Sequence, residues 1–396
     1  MTPTQHFLSL VGGTIYVSPT GEPIREGVVL IQDGKIAAVG SKAQVQIPQN
    51  AQLLDCSGLT ITAGLWNSHV HFTERKWATV TTIPAAELGR QLEDMLTRYG
   101  FTSVFDLSSP WENTQRLRER IESGEVPGPR IRTTAPGLIP AGGLPSDDVV
   151  NMMGWMKTPA PEITNAAQAA SVSRTLLDQG VDGIKLFASA QRGAILPESA
   201  IQAAVKEAHQ SGKPVFAHQN TSADVLNAVR GGVDVIAHTT PHSGPWDQAI
   251  LAAMKERQVA LTPTLTIWKH YMRHDRISAQ EQVINTELGQ LRAWLALEGT
   301  VLFGNDLGAV DYDPADEYAL MAEAGMSFRQ ILTSRTTAPA ERFGESGKLG
   351  RIAAGLEADL VALKDDPSKN VRSLAAVQYT LRSGKITYRA DPGHLR

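Results

Sequence analysis

The chain has 396 residues, 42% hydrophobic and 20% charged, a balance typical of a globular protein and unlike that of disordered or collagen-like chains. Its formal net charge of −4, without a lysine or arginine block, disfavours a nucleic-acid-binding surface, so we expect a small-molecule partner. No apolar run reaches about 18 residues, which predicts no membrane-spanning segment.

The chain contains a single cysteine, Cys56. This excludes an intramolecular disulfide and a thiolate zinc site within the chain, so a bound metal would need nitrogen and oxygen ligands. The amino-terminal residues lack a basic start followed by an apolar run of signal length. We therefore expect a cytoplasmic location, or a periplasmic or secreted one if a leader has been removed.

The two ends of the sequence carry similar β patterns. Short alternating runs extend from Phe7 to Leu54, with Asp33-Gly34 as a hairpin signal. Near the other end, ADLVALK and VQYTLRSGKITYRA show the same pattern around a Ser-Gly turn. We predict that residues 1–62 and 346–396 pair into one small β-sandwich domain.

The segment 63–345 alternates amphipathic helices, glycines and β-rich runs. Leu88, Leu92 and Met95 recur at helical spacing, Gly100 ends that helix, and FTSVFDL follows. The β-runs are 61–71, 101–107, 130–134, 183–189, 214–218, 233–238, 259–265 and 300–306. Alternation implies parallel strands with crossover helices, and eight strands favour a closed barrel. The predicted fold is therefore α/β, a (β/α)8 TIM barrel with the appended β-sandwich.

Polar residues stand at the ends of several of these β-runs. His69 and His71 are two residues apart on a strand, so both imidazoles should leave the same face. The carboxyl ends of barrel strands share one mouth. The residues predicted to meet there are His69, His71, Lys185, His218, His238 and Asp306. Each has an ordinary structural explanation alone, but their shared position favours a metal site with nitrogen and oxygen ligands.

Six motifs together resemble those of the amidohydrolase superfamily, most closely its imidazolonepropionase-like and Xaa-Pro dipeptidase-like branch. They are HVH at 69–71, IKLFAS at 184–189, AHQN at 217–220, AHTT at 237–240, FGNDLGA at 303–309 and GRIAAGLEADLVAL at 350–363. The resemblance covers nearly the full length of the chain. Each motif is weak alone, whereas the set is specific.

The resemblance implies a centre of two divalent ions. It implies His69, His71 and Asp306 as ligands of one ion, His218 and His238 as ligands of the second, and Lys185 as a bridging carbamate. Zn²⁺ suits imidazole and carboxylate ligands best, with Mn²⁺, Co²⁺ or Fe²⁺ as alternatives. The implied reaction is hydrolysis of an amide or peptide C–N bond in a dipeptide or N-acyl amino acid. A metal-bridging hydroxide would attack, and Asp306 would transfer the proton.

Two other functions remain open at this point. One is a mononuclear imidazolonepropionase-like cyclic-amide hydrolase or deaminase; deaminases of the superfamily usually carry glutamate where this chain has Thr221. The other is a non-catalytic scaffold, which is disfavoured because no ligand position has been lost. Assembly into a homo-oligomer is compatible with a helix-covered barrel of this size.

One departure from the family pattern lies beside the histidine pair. Family members usually carry aspartate two residues before the first histidine, whereas this chain has Asn67. Asparagine can hydrogen-bond a neighbouring ligand but adds no negative charge, so its support of the metal site should be weaker.

The sequence also offers weaker substrate-binding candidates. His242 follows His238 closely, and His270, Tyr271 and Arg273 follow the seventh β-run, where related dipeptidases hold the substrate carboxylate. Arginine can bind a carboxylate bidentately, although a solvated loop cation is the commoner case. The loop 136–161 follows the third strand, and its substrate-facing candidates are Met152, Met153, Trp155 and Met156.

Overall fold

The structure, a computed structural model, describes residues 6–143, 160–190 and 193–391. The loop candidates Met152, Met153, Trp155 and Met156 lie outside the described residues. The residues that flank their loop are described, and there Ile139–Pro140 pairs in parallel with Glu162–Ile163.

The described strands number seventeen and are labelled in chain order. They are β1 (Phe7–Ile15), β2 (Ile24–Gln32), β3 (Lys35–Ser41), β4 (Gln52–Asp55), β5 (Thr60–Ala63), β6 (Leu65–Val70), β7 (Phe101–Asp106), β8 (Arg130–Thr133), β9 (Ile139–Pro140), β10 (Glu162–Ile163), β11 (Ile184–Phe187), β12 (Val215–His218), β13 (Val235–Ala237), β14 (Ala260–Thr262), β15 (Leu360–Leu363), β16 (Val377–Arg382) and β17 (Lys385–Arg389).

The helices follow the predicted alternation with these strands. The α-helices of the described ranges are α1 (Ala85–Met95), α2 (Trp111–Glu122), α3 (Ala166–Gln179), α4 (Glu198–Gln210), α5 (Ser222–Gly231), α6 (Gln248–Glu256), α7 (Thr266–Tyr271), α8 (Ile277–Ala296), α9 (Ala315–Glu323), α10 (Phe328–Arg335) and α11 (Thr337–Arg342). Short 3₁₀ turns cover Arg75–Thr79, Thr97–Tyr99, Pro241–Ser243 and Val371–Ala375. None of the helices described has the length and apolar character needed to cross a bilayer.

The two ends of the chain share one eight-stranded sheet. Its order is β17-β16-β15-β5-β1-β2-β3, with β4 paired to β1. β15 joins the two ends by pairing antiparallel to β5, with Leu360 opposite Ala63. The predicted hairpin at Asp33-Gly34 is present with φ of 48° and 84°, as a tight two-residue turn requires. This pairing does not define a second facing layer, so the sandwich and the boundaries 1–62, 63–345 and 346–396 stay predictions.

The central part of the chain is built from parallel strands with intervening helices. β6, β7 and β8 form one parallel sheet, and β11 to β14 form another. Helix residues Leu88, Leu92 and Met95 are buried in the core between helices and strands, as their spacing predicts. Gly100 follows with φ of 80°, a left-handed conformation that favours glycine.

The strands do not form the continuous closed barrel that the sequence predicts. The last β-run, 300–306, makes a single bridge, between Leu261 and Val301, and Leu307 directly after it bridges Val70. Two features interrupt a regular ladder there. Asp306 has a φ of 60°, and the backbone at Gly304 approaches β6 so closely that a Cβ would lie 2.8 Å from Cβ of His69. This irregularity allows the last β-run to lie close to β6, the strand that carries His69.

Candidate metal centre

Three of the predicted ligands form a compact cluster in which His69 and Asp306 are buried and His71 is partly buried. His69, His71 and Asp306 each offer one ligand atom, and these atoms lie within 4.8 Å of one another. The two imidazole Nε2 atoms are 3.2 Å apart, so both rings leave the same face as predicted. Asp306 Oδ1 lies 3.4 Å from Nε2 of His69 and 2.8 Å from Nε2 of His71. Two nitrogens and one carboxylate oxygen in this arrangement fit a divalent cation.

Backbone hydrogen bonds between β6 and the last β-run position this cluster. Ser68 N–H donates to the Phe303 carbonyl at 2.7 Å, and His71 N–H donates to the Leu307 carbonyl at 2.6 Å. Asp306 lies between these two acceptors along the chain. We call this contact between residues 65–71 and residues 303–307 the seam.

Asn67 adds a side-chain link across the seam. Its Oδ1 accepts the His69 N–H at 3.1 Å, and its Nδ2 donates to Asn305 Oδ1 at 2.7 Å. Both asparagines are buried, and Asn305 precedes Asp306 directly. The amide therefore joins the backbone of the histidine strand to the residue beside the carboxylate.

Burial sets the protonation states of these groups. It lowers the pKa of His69 and of His238 well below the usual range, and that of His218 to about 4, so each imidazole is neutral near pH 7. Burial alone would raise the pKa of Asp306, but His69 and His71 hold it well below the usual range. Asp306 is therefore an anion. Its Oδ1 is buried and faces the Nε2 atoms of His69 and His71.

His238 lies beside this cluster with a defined tautomer. Its ring centroid is 4.8 Å from that of His69, and its Nδ1 is 3.9 Å from Asp306 Oδ2. Thr264 Oγ1 is 2.6 Å from that Nδ1 and donates its only proton to the Pro263 carbonyl at 2.8 Å. The hydroxyl must therefore accept the Nδ1 proton, which leaves the lone pair of His238 on Nε2.

His218 extends the group on the other side of His238. The two ring centroids are 4.8 Å apart. The Asn220 amide donates from Nδ2 to Ser189 Oγ at 3.1 Å and presents Oδ1 to His218 Nε2 at 3.2 Å. Since Oδ1 only accepts, Nε2 carries the proton and the lone pair is on Nδ1.

A carboxylate at the start of α5 fixes the orientation of that amide. Ser189 donates its hydroxyl proton to Asp224 Oδ2 at 2.7 Å, which leaves the Ser189 oxygen to accept from Asn220. Asp224 also forms a capping box with Thr221. Thr221, the position at which deaminases of the superfamily usually carry glutamate, therefore caps a helix in this chain.

Lys185 lies on β11 with its side chain buried. Burial lowers its pKa to about 7, although the nearby Asp306 carboxylate acts in the opposite direction. Its Nζ lies 5.5 Å from the Phe187 ring centroid, and that ring is 5.3 Å from the His218 ring. A Cβ at Gly137 would lie 3.1 Å from Lys185 Cγ, so the chain after β8 runs directly against the lysine. At pH 7 a large fraction of the Lys185 amine is therefore neutral, and the neutral amine is nucleophilic.

The four weaker substrate-binding candidates lie on and beside α7. His242 is exposed, and its ring packs edge-on to Trp268 at 5.2 Å between centroids. His270 and Tyr271 are partly buried, and exposed Arg273 donates from Nη1 to the His270 carbonyl at 2.7 Å. Their roles stay predictions.

Several supporting residues were not found by sequence reasoning. Asp106 ends β7 in a fully buried position and accepts hydrogen bonds from Ser109, Thr114 and Thr133. Thr264 and Asn305 orient groups of the site from distant positions in the chain. Asn220 and Asn305 left a signal, since they lie in the AHQN and FGNDLGA motifs.

A polar cluster links the chain that follows β6 with the chain after the last β-run. Tyr312 Oη donates to Glu74 Oε1 at 2.6 Å, and Lys76 Nζ lies 3.1 Å from Glu74 Oε2 and also contacts the Tyr312 hydroxyl. Tyr312 is 238 residues from Glu74, so this contact cannot be predicted from the sequence.

The residues present fit a bound divalent metal. The donor set comprises imidazole nitrogens and an ionised carboxylate, with His69, His238 and Asp306 buried and His71 and His218 partly buried. His69 Nδ1 is buried without a hydrogen-bond partner among the described residues. A cation beside Asp306 would neutralise its buried charge.

The chain is similar to known proteins over most of its length. The model of the Amidohydrolase family matches residues 60–388. An ochratoxinase of Aspergillus niger is 22% identical over 430 aligned positions, which cover 96% of this chain and 86% of the relative. An allantoinase of Deinococcus radiodurans is 25% identical, with 89% of this chain and 86% of the relative covered.

Solved structures show the same fold. An Xaa-Pro dipeptidase with methionine in its active site superposes with a TM-score of 0.82 at 20% identity, covering 97% of this chain and all (100%) of the other. A prolidase complexed with N-methylphosphonate-L-proline gives a TM-score of 0.79 at 26% identity, with coverages of 97% and 100%. The α/β arrangement is consistent with a TIM barrel. With the family model matching most of its length, the chain belongs to the amidohydrolase family.

Proposed function

We propose that this protein is a binuclear metal-dependent amidohydrolase acting on a small dipeptide or N-acyl amino acid. Hydrolysis of an amide-type C–N bond follows from family membership. In the proposed centre His69, His71 and Asp306 hold one divalent ion, and His218 and His238 hold a second. A carbamate on Lys185 bridges the two. Zn²⁺ is the favoured metal, with Mn²⁺, Co²⁺ or Fe²⁺ as alternatives.

One observation carries the metal assignment. A buried, ionised carboxylate oxygen, Asp306 Oδ1, lies 2.8 and 3.4 Å from two imidazole nitrogens. Three ligand atoms, one of them anionic, therefore converge within 4.8 Å of one another. A divalent cation among them would be coordinated by all three and would neutralise the buried carboxylate.

The neutral amine of Lys185 supports the proposed bridge. Near its pKa of about 7, a large fraction of the lysine carries a free lone pair. Its nitrogen can attack carbon dioxide, forming an N–C bond and releasing one proton to solvent. The product is an anion with two oxygens, which suits a position between two cations better than an ammonium does.

The proposed reaction assigns proton transfer to Asp306. Bound divalent ions lower the pKa of a bound water and polarise the carbonyl under attack. Asp306, held in the left-handed conformation beside both histidines, takes a proton from the attacking water. It then returns that proton to the leaving nitrogen, which departs as a neutral amine.

The substrate class rests on the ligands of related structures. One dipeptidase holds methionine, and one prolidase holds N-methylphosphonate-L-proline, which carries an amino acid with a substituted nitrogen. Both ligands contain an amino acid carboxylate. Arg273, beside α7, is the proposed partner for such a group in this chain.

Metal analysis combined with a substrate panel tests the proposal. Protein loaded with zinc in the presence of bicarbonate should carry two ions per chain and hydrolyse N-acetyl amino acids or dipeptides faster than lactams and esters. His218→Asn should lower the metal content, whereas the control His209→Asn should not. His209 is exposed on α4, where it pairs with Asp234 at 2.9 Å.

The same measurements separate the alternatives. One ion per chain with full activity on a cyclic amide or aminated ring would establish the mononuclear hydrolase or deaminase instead. Failure to bind divalent metal after reconstitution would support a non-catalytic scaffold and contradict the proposal.

A further inference from the structure

Arg335 is a fully buried cation outside the metal centre. It ends α10, and its side chain has no exposure to solvent. Among the described residues its nitrogens Nε, Nη1 and Nη2 have no carbonyl or carboxylate acceptor, and their polar neighbour is the Tyr318 hydroxyl. Burial lowers its pKa to about 10, which still leaves the guanidinium charged at neutral pH.

Aromatic rings surround this guanidinium. The centroids of Phe101, Phe303 and Tyr318 lie 5.1, 4.6 and 4.5 Å from Cζ. Each ring face attracts a cation. Rings do not, however, provide acceptors for the five N–H groups of a guanidinium. The aromatic contacts therefore offset part of the cost of burying the charge. The N–H groups still lack carbonyl or carboxylate acceptors in the described part of the chain.

No described carboxylate supplies the missing counter-charge. Glu317 is next to Tyr318 on α9, but its oxygens accept from the backbone N–H groups of Leu265 and Thr266 and from the Thr266 hydroxyl, each at 2.8 Å. Burial raises the pKa of Tyr318, so its hydroxyl is neutral. That hydroxyl lies buried beside the guanidinium, and its own proton has no acceptor among the described residues.

We propose that Arg335 and the Tyr318 hydroxyl bind a small inorganic monovalent anion, such as chloride, inside the fold. Such an ion accepts hydrogen bonds from several N–H groups and one O–H, and it neutralises the buried charge. The binding free energy would stabilise the folded chain, because the unfolded chain has no such site. Phe303 connects the site to the seam, since its N–H donates to the Ser334 carbonyl at 2.8 Å.

Anomalous diffraction from crystals of the zinc-loaded enzyme grown in sodium bromide tests the site directly. We expect a bromide peak within hydrogen-bonding distance of the Arg335 guanidinium. Ordered waters there instead of bromide would overturn the proposal. This measurement uses the unmodified chain and does not depend on a variant that folds.

Thermal unfolding provides the second measurement. At constant ionic strength, replacing sodium gluconate by sodium chloride should raise the Tm of the wild-type enzyme by several degrees. Arg335→Met should abolish that response, and the control Arg25→Met, at an exposed position on β2, should retain it. An equal chloride response in the wild-type enzyme and in R335M would show that chloride acts elsewhere and would contradict the proposal.

Discussion

The two halves of the candidate metal centre are organised differently. At the seam, His69, His71 and Asp306 bring their ligand atoms within 4.8 Å of one another, through backbone hydrogen bonds and the Asn67 amide. On the other side, each of His218 and His238 is oriented by its own hydrogen bond. The residue proposed to join the halves, Lys185, is a buried amine rather than an anion.

This difference has a chemical consequence. The seam contributes one ionised carboxylate, so its half already has the charge that a divalent cation needs. The half with His218 and His238 contributes neutral imidazoles only and would gain a negative charge from the proposed carbamate on Lys185. We therefore expect the seam half to bind metal first and the second half to depend on carbon dioxide.

The largest expected effect comes from Asp306→Asn. The amide keeps an oxygen ligand but cannot accept a proton at neutral pH, so kcat should fall by about 10³, within the range for general acid–base groups. Much of the metal should remain bound, as measured by elemental analysis. Asp94→Asn, at an exposed position on α1, is the matched control and should leave kcat unchanged. Near-normal turnover in D306N would remove Asp306 from proton transfer.

Lys185→Ala should have the next largest effect. Loss of the bridging anion should release one ion per chain and lower kcat/KM by about a hundredfold, since a metal contributes several kcal/mol to transition-state stabilisation. Metal content and activity measured on the same sample test this. Two tightly bound ions in K185A would show that the halves do not depend on the carbamate.

The pH dependence of reconstitution follows from the same lysine. With a pKa of about 7, the amine is mostly protonated at pH 6 and mostly neutral at pH 8. Activation of the metal-free enzyme by zinc and bicarbonate should therefore be about tenfold faster at pH 8 than at pH 6. K185A, which has no amine to carbamylate, should show no bicarbonate dependence.

Much of this arrangement can be predicted from sequence because it depends on periodicity. Strand alternation places His69 and His71 on one face, and the parallel pairing of β11 with β12 brings Lys185 near His218. The break in the last β-run, 300–306, could not be predicted. It depends on the φ of Asp306 and on the close approach of Gly304 to His69, which are contacts between segments distant in the chain.

The supporting hydrogen bonds were harder to predict for the same reason. Thr264 orients His238 from 26 residues away, and Asn305 meets Asn67 across 238 residues. A threonine or asparagine after a strand also has common structural roles, such as capping a helix or forming a turn. Only the folded structure shows whether such a residue caps a helix, forms a turn or orients a metal ligand.

A smaller effect is expected from Thr264→Val, which tests the half of the centre that lies away from the seam. Valine retains the shape of threonine but cannot accept the Nδ1 proton of His238, so the ring loses its defined tautomer. Affinity for the second ion should fall about tenfold, with the first ion little affected. Competition with a chelator measures both steps. Equal loss of both ions would indicate one cooperative site. The control Thr175→Val, at an exposed position on α3, should change neither step.

Asn67→Asp should have the smallest effect and tests the seam itself. One carboxylate oxygen can still accept the His69 N–H, and rotation of the Asn305 amide would present its Nδ2, which now lacks a partner among the described residues, to the other oxygen. Both links are then retained, so we expect kcat/KM and first-ion affinity to change by no more than a few-fold. Asn67→Leu has a similar volume but can form neither link, and it should weaken first-ion binding by about tenfold. Equal losses of first-ion affinity in N67D and N67L would contradict this expectation. They would show that the seam requires the Asn67 amide as donor to Asn305 and that a carboxylate acceptor cannot replace it.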